Sequence, residues 1–118
     1  MPHIILETTS DLFENANIPD ILEALVARLC TFETIDSKAV KAYHGLRSNW
    51  QMGKGAPAGF AHCTIGLVAG RPLELRKKIS KAMYDELRSH FGMSLEHNEV
   101  SLTLEVREFE AETYQKVG

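Results

Sequence analysis

The sequence predicts an α+β fold in which two β-α-β repeats build one four-stranded sheet with two helices on one face. Three observations lead there. Short apolar runs with strand character occur four times. Two apolar stripes at helical spacing fall after the first and third of these runs. A Gly- and Pro-rich stretch at residues 52–59 (MGKGAPAG) separates two halves with the same order of elements. At 118 residues the chain is expected to form a single domain, residues 1–118, large enough for one real core.

The first strand is read at residues 2–8 (PHIILET), with His3, Ile5 and Glu7 on one side and Ile4 and Leu6 on the other. Residues 9–17 form a polar connection, and Pro19 suits the first turn of the helix that follows. In that helix Ile18, Ile21, Leu22, Leu25, Leu29 and Phe32 recur at helical spacing and give one stripe for the core. Residues 37–46 (SKAVKAYHGL) read as the second strand, where Val40, Ala42, His44 and Leu46 alternate with Lys41, Tyr43 and Gly45. Residues 60–69 (FAHCTIGLVA) are apolar on both faces, which places this strand centrally. After Gly70-Arg71-Pro72, the second helix sets Leu75, Ile79, Met83, Leu87 and Phe91 on one stripe, with Gly92 close to its end. Residues 100–109 alternate cleanly, with Val100, Leu102, Leu104 and Val106 inward and Ser101, Thr103, Glu105 and Arg107 outward.

Two helices cover only one face of such a sheet. Glu7, Lys41, Tyr43, Thr103 and Glu105 make the other face mixed, while the strand at Phe60 offers it few polar groups, so self-association through this face is expected. Composition narrows the remaining partners. A formal net charge of −3 argues against a nucleic-acid surface. No apolar run approaches the roughly 20 residues that span a bilayer, and no secretory signal is visible. A cytoplasmic protein without nucleic-acid or membrane partners is therefore expected. Cys30 and Cys63 form no C-x-x-C pair and read as buried free thiols.

Several residues are candidates for chemistry. Loss of Met1 would leave Pro2 with a free secondary amine. An ordinary α-amino group has a pKa of about 7.7–8.0, and a neighbouring cation or apolar walls would lower it toward a base poised near neutral pH. The structural alternative is that Pro2 simply starts a strand, where its missing N–H costs little. Arg71, just before Pro72 at the start of the second helix, can grip a carboxylate through two parallel hydrogen bonds, or be an exposed arginine beside a turn. Lys41, Tyr43 and Arg47 share one parity. Lys41 and Arg47 would lie about 20 Å apart on a straight strand, so they cannot grip one small ligand, whereas Lys41 and Tyr43, about 7 Å apart, can. Arg76, Lys77 and Lys78 read as a solvated helix face. The Gly-Lys-Gly at residues 53–55 lacks the rest of a phosphate loop. The histidines His3, His44, His62, His90 and His97 show no metal-ligand spacing, so no metal site is expected. His62 reads as a hydrogen-bonded core histidine, and Trp50 and Phe60 as core packing or the walls of an apolar pocket.

Four short motifs stand in a telling order: MPH before an apolar strand, WQM at residues 50–52, F-x-H-x-T at residues 60–64, and AGR at residues 69–71. Together they resemble the 5-carboxymethyl-2-hydroxymuconate isomerases of the tautomerase superfamily. The likeness covers nearly the whole chain, fading in the first helix–strand connection and after Phe109. The resemblance implies a homotrimer of β-α-β repeats, active sites at or near subunit contacts, and no cofactor or metal. It implies a small anionic enol-acid substrate, a conjugated dienol acid converted to its keto form, in the breakdown of homoprotocatechuate derived from 4-hydroxyphenylacetate. By position it implies that Pro2 is the catalytic amino-terminal base and that Arg71 binds a substrate carboxylate. The family's second arginine falls on Lys41, which keeps the charge but not the planar two-pronged geometry. Two other readings stay open: a different tautomerase activity, of phenylpyruvate or oxalocrotonate type, or a non-catalytic ferredoxin-like subunit. A retained Met1 would favour the latter, because the Pro2 nitrogen would then be an amide.

Overall fold

The computed structural model describes residues Met1–Gly118. Strands β1 (His3–Thr9), β2 (Lys41–Arg47), β3 (Gly59–Val68) and β4 (Val100–Phe109) form one sheet in the order β2-β1-β3-β4. Helix α1 (Ile18–Leu29) links β1 to its parallel neighbour β2, and α2 (Leu73–Ser89) links β3 to its parallel neighbour β4. The two units join through the antiparallel pair β1/β3 at the centre. This is the doubled β-α-β arrangement that the repeated order of elements predicts, and the strand apolar on both faces is indeed central.

Local chemistry explains the element ends. Pro19 sits within the first turn of α1, where its missing N–H has no partner to lose. Pro72 caps α2 in an extended conformation that its fixed φ allows. One side of the sheet is the core. Ile4 and Leu6 of β1 and Ala61, Cys63, Ile65 and Leu67 of β3 pack with Ile21, Leu25 and Leu29 of α1 and Ile79, Met83 and Leu87 of α2 in one buried cluster. Both helices therefore cover the same face. Cys63 is a free thiol buried in this core, and burial pushes its pKa up to about 12. Cys30, at the end of α1, is also free but only half-buried.

Four details differ from expectation. The second strand begins at Lys41, because Ser37–Ala39 closes into a 3₁₀ turn whose first N–H groups meet Asp36: the Oδ1 of Asp36 accepts the Lys38 N–H at 3.1 Å. Residues 9–17 are not a plain polar link, since Phe13–Asn17 is a 3₁₀ helix carrying a buried Glu14. That carboxylate accepts the Ser94 N–H at 3.0 Å and the Ser94 hydroxyl at 2.5 Å. It thereby satisfies the start of a short helix, α3 (Gly92–Glu96), so Gly92 opens a new helix rather than merely trailing α2. His62 is not in the core. Its even position in β3 points to the helix-free face, where Nδ1 lies 2.7 Å from Thr103 Oγ1. Trp50 and Phe60 are half-buried rather than core residues, and the Trp50 indole N–H staples the glycine loop by donating to the Ala58 carbonyl at 2.9 Å.

The helix-free face is mixed, as its sequence implies. Arg47 Nε donates to Glu7 Oε2 at 2.9 Å, Arg107 Nε donates to Glu105 Oε1 at 2.5 Å, and His62 approaches the same Glu105 oxygen at 3.8 Å. Toward the start of β1 the character changes to aromatic: His3, Phe109 and Tyr114 meet there. No helix is long and apolar enough to cross a membrane.

Candidate active site

Strand pairing brings the sequence-predicted residues to one corner of the sheet. His3 is opposite Lys41 in parallel β2 and opposite Gly66 in antiparallel β3. The Lys41 N–H donates to the Pro2 carbonyl at 3.1 Å, which fixes Lys41 beside the amino end of the chain. Continuing the β1/β3 register back by one residue sets Pro2 against Leu67, so the turn carrying Arg71 begins just past it. Pro2 itself is buried, and Met1 is half-buried.

The Arg71 side chain turns back from the start of α2 and is held on three sides. Its Nε donates to Thr34 Oγ1 at 3.1 Å, Nη2 donates to the Thr34 carbonyl at 2.9 Å, and Nη1 donates to the Val68 carbonyl at 3.3 Å. A guanidinium has five N–H donors, so two remain for a ligand. Its own carbonyl accepts from Arg76 Nε at 3.2 Å, and Arg76 in turn pairs with Glu108 at 3.5 Å. Lys41 is exposed and makes no ion pair within 4 Å. Tyr43 shares its face two residues further on, about half exposed, and pairs with Ile5 across the strands. Arg47 stands apart at the far end of β2, committed to Glu7.

Electrostatics at this corner follows from that geometry. The terminal amine is held below its ordinary 8.0 first by burial, then by the positive fields of Arg71, Lys116 and Lys41. Asp36 is the one acid that opposes them. His3 is likewise held below its usual range, by burial and then by Lys41 and the amine, so its imidazole is neutral near pH 7. The structure thus gathers the amino end, Lys41, Tyr43 and Arg71, and excludes Arg47.

Sequence reasoning missed His3, Tyr114 and Lys116. The His3 imidazole Nε2 lies 3.0 Å from the Tyr114 hydroxyl, and the Tyr114 ring stacks on Phe109 with centroids 5.3 Å apart and planes 2° apart. Nothing local in the tail sequence signals this, because its contacts are with a residue 111 positions away. A glycine at position 66 in an otherwise apolar central strand was the one available hint, since glycine there marks a close approach. No enclosed cavity surrounds the corner. The surface hollows lie between α1 and α2, along α2 and α3, and on α1, so within one chain the site is open on one side. No three His, Cys, Asp or Glu side chains gather as metal ligands would.

The doubled β-α-β sheet is the fold of the tautomerase superfamily. A fused 4-OT, solved as a symmetric trimer, superposes with a TM-score of 0.69 at 18% identity, over 92% of this chain and 85% of that one. A 5-carboxymethyl-2-hydroxymuconate isomerase from Deinococcus radiodurans R1 superposes with a TM-score of 0.89 at 26% identity, covering 98% of this chain and 88% of that one. The 5-carboxymethyl-2-hydroxymuconate Delta-isomerase of Escherichia coli is 25% identical over 109 residues, 92% of this chain and 86% of the relative. The chain belongs to the 5-carboxymethyl-2-hydroxymuconate isomerase family, whose model matches residues 2–118, and it is an isomerase.

Proposed function

We propose that the chain is a cofactor-independent isomerase that converts a dienol carboxylic acid to its keto form. Its substrate is 5-carboxymethyl-2-hydroxymuconate in homoprotocatechuate catabolism, and Pro2 is the general base once Met1 is removed. The observation that supports this most is the chain's amino end, partly buried and set among Arg71 and Lys41, in a member of this isomerase family. Removal of Met1 transfers the terminal amine to the Pro2 nitrogen, one residue closer to the sheet. There the same burial and the same cations act to lower its pKa.

The reaction needs a proton taken from one atom and returned to another. The Pro2 nitrogen accepts the proton of the enol hydroxyl, the oxygen's electron pair forms the carbonyl, and the conjugated double bonds shift. The prolinium then gives the same proton to a carbon of the chain, so the net change is an isomerisation. Arg71 uses its two free N–H donors on a substrate carboxylate and holds the conjugated system in line. Lys41 spreads the charge of the dienolate as it forms, with Tyr43 alongside on the same face. A homotrimer completes the open side of each site, in keeping with a sheet face that no helix covers and with the symmetric trimer of the fused 4-OT.

Intact mass and activity on one preparation test this reading. Protein lighter by one methionine turns over the dienol, and protein with Met1 retained does not. Full activity in the fraction that keeps Met1 would overturn the proline base. Turnover confined to other enol acids on a panel would favour a different tautomerase activity.

A further inference from the structure

Arg71 belongs to the second β-α-β unit, but two of the three hydrogen bonds that hold its side chain come from the first. Helix α1 ends at Leu29, and the chain leaves it in tight turns. The Phe32 N–H donates to the Leu29 carbonyl at 3.2 Å, and the Ile35 N–H donates to the Phe32 carbonyl at 3.0 Å. Ile35 is buried in the core cluster, which anchors the turn to the interior. Thr34, the residue before it, stands exposed at the surface. Its hydroxyl oxygen accepts from Arg71 Nε at 3.1 Å, and its carbonyl accepts from Arg71 Nη2 at 2.9 Å. A guanidinium is planar, and Nε–H with the inner N–H of Nη2 makes one of its edges. Thr34 fills that whole edge. Val68, at the end of β3, takes one N–H of Nη1 at 3.3 Å. The Arg71 backbone is held separately, by Arg76, which pairs with Glu108 of β4.

We propose that Thr34 is the positioning residue of the site arginine: its hydroxyl and carbonyl together fix the Arg71 guanidinium and leave only the remaining N–H groups of Nη1 and Nη2 to a substrate carboxylate. This deepens the functional reading above and rests on it. A free guanidinium offers a carboxylate more than one edge, and each edge sets the ligand at a different angle. With Thr34 on the Nε edge, that choice is closed before the ligand arrives, so less ordering remains to be done on binding. The hydroxyl is the deciding part, because the carbonyl alone holds Nη2 and leaves Nε–H open. Thr34 is also a neutral partner, and Arg71 makes no ion pair in the chain. The guanidinium is therefore held in place with its charge uncancelled. A carboxylate at the same place would hold the fork equally well and neutralise it. The first unit thus sets the geometry of a residue that the second unit supplies, through a turn whose own position the burial of Ile35 fixes.

Calorimetric binding of sorbate tests the assignment without any turnover. Sorbate is a conjugated dienoic acid with one carboxylate and no enol proton to move. Thr34→Val keeps the shape of the side chain and removes its acceptor, and is expected to weaken sorbate binding about five-fold. Thr34→Ser restores the hydroxyl and is expected to bind within about two-fold of the native protein. Arg71→Ala is expected to weaken binding at least about ten-fold. Adding Thr34→Val to Arg71→Ala is expected to change nothing further, because two residues that act through one contact are not additive. Equal affinity in Thr34→Val and the native protein overturns the assignment. So does an equal loss in Thr34→Val and Thr34→Ser, or a further loss when Thr34→Val is added to Arg71→Ala. Affinity unchanged by Arg71→Ala overturns the carboxylate role of Arg71 itself, and the assignment with it. Because only binding is read, each of these results is distinct from failure of the proline base, which turnover of a Pro2 variant reports.

Discussion

The terminal amine at the mouth of the site is under two influences that act in the same direction. Burial removes water from its charged form, and Arg71, Lys116 and Lys41 repel that form, leaving Asp36 as the only opposing charge. A base works as the free amine, so lowering its pKa extends activity toward lower pH. The acid limb of kcat/KM is therefore expected to lie at lower pH than the ionisation of the same amine in an unfolded chain. Removing one of the cations, as in Lys41→Ala, is expected to move that limb to higher pH, and a pH–rate profile of the two proteins checks it. A limb that moves down or stays fixed would contradict the electrostatic account. Arg71 is a second residue-scale test. With three donors pinned to Thr34 and Val68, its plane is set before substrate arrives. Arg71→Ala is expected to cost about a hundred-fold in kcat/KM, and Arg71→Lys should recover little of it, since an ammonium lacks the fork. Steady-state kinetics on the dienol decides this. At this scale Pro2, Arg71 and Lys41 were legible because each lies in or beside a short motif. Lys116 was not, since its relevance depends on a fold-back that tail residues alone do not specify.

Among the elements, the central strand and the tail depend on each other through Gly66. Gly66→Val drives two methyl groups into the space of the Phe109 ring. It is expected to cost about 1–3 kcal/mol and to release Tyr114 from His3, as urea unfolding and the near-ultraviolet spectrum of the tyrosine would report. A variant as stable as the native chain, with its tyrosine signal unchanged, would place the ring elsewhere. The Glu14–Ser94 pair is a separate joint, between the connection after β1 and the start of α3. Glu14→Ala leaves the buried Ser94 N–H and hydroxyl without their partner. A loss of about 1–3 kcal/mol is expected, with wild-type catalytic constants in the folded protein. The last strand and the two long helices were readable because each shows one uninterrupted period, of two residues in residues 100–109 and of 3.6 in residues 18–29, and the third strand because it is a short run apolar on both faces. The short pieces were not. Ser37–Ala39 carries no glycine or proline to mark it off from the strand it precedes, and α3 begins at a glycine that reads equally well as the end of α2. His62 was misplaced because a strand apolar on both faces gives no sign of which side a lone polar residue takes.

For the whole molecule, the two β-α-β units leave one sheet face uncovered and one corner of the sheet open. The proposed homotrimer would close both, and sedimentation equilibrium is expected to give a mass near three times the 13.2 kDa of the chain. A monomer with full activity would show that one chain's open corner suffices. The same arrangement explains why the amino end can serve as a reagent. β1 is an inner strand, flanked by β2 and β3, and this fixes its first residue against Lys41 on one side and the Arg71 turn on the other. The central claim is that the Pro2 nitrogen moves the proton, and turnover of Pro2→Ala tests it most directly. Followed by the ultraviolet absorbance of the dienol, the variant is expected to lose at least about a hundred-fold in kcat, with KM little changed because Arg71 and Lys41 remain. Undiminished turnover by Pro2→Ala would contradict the account.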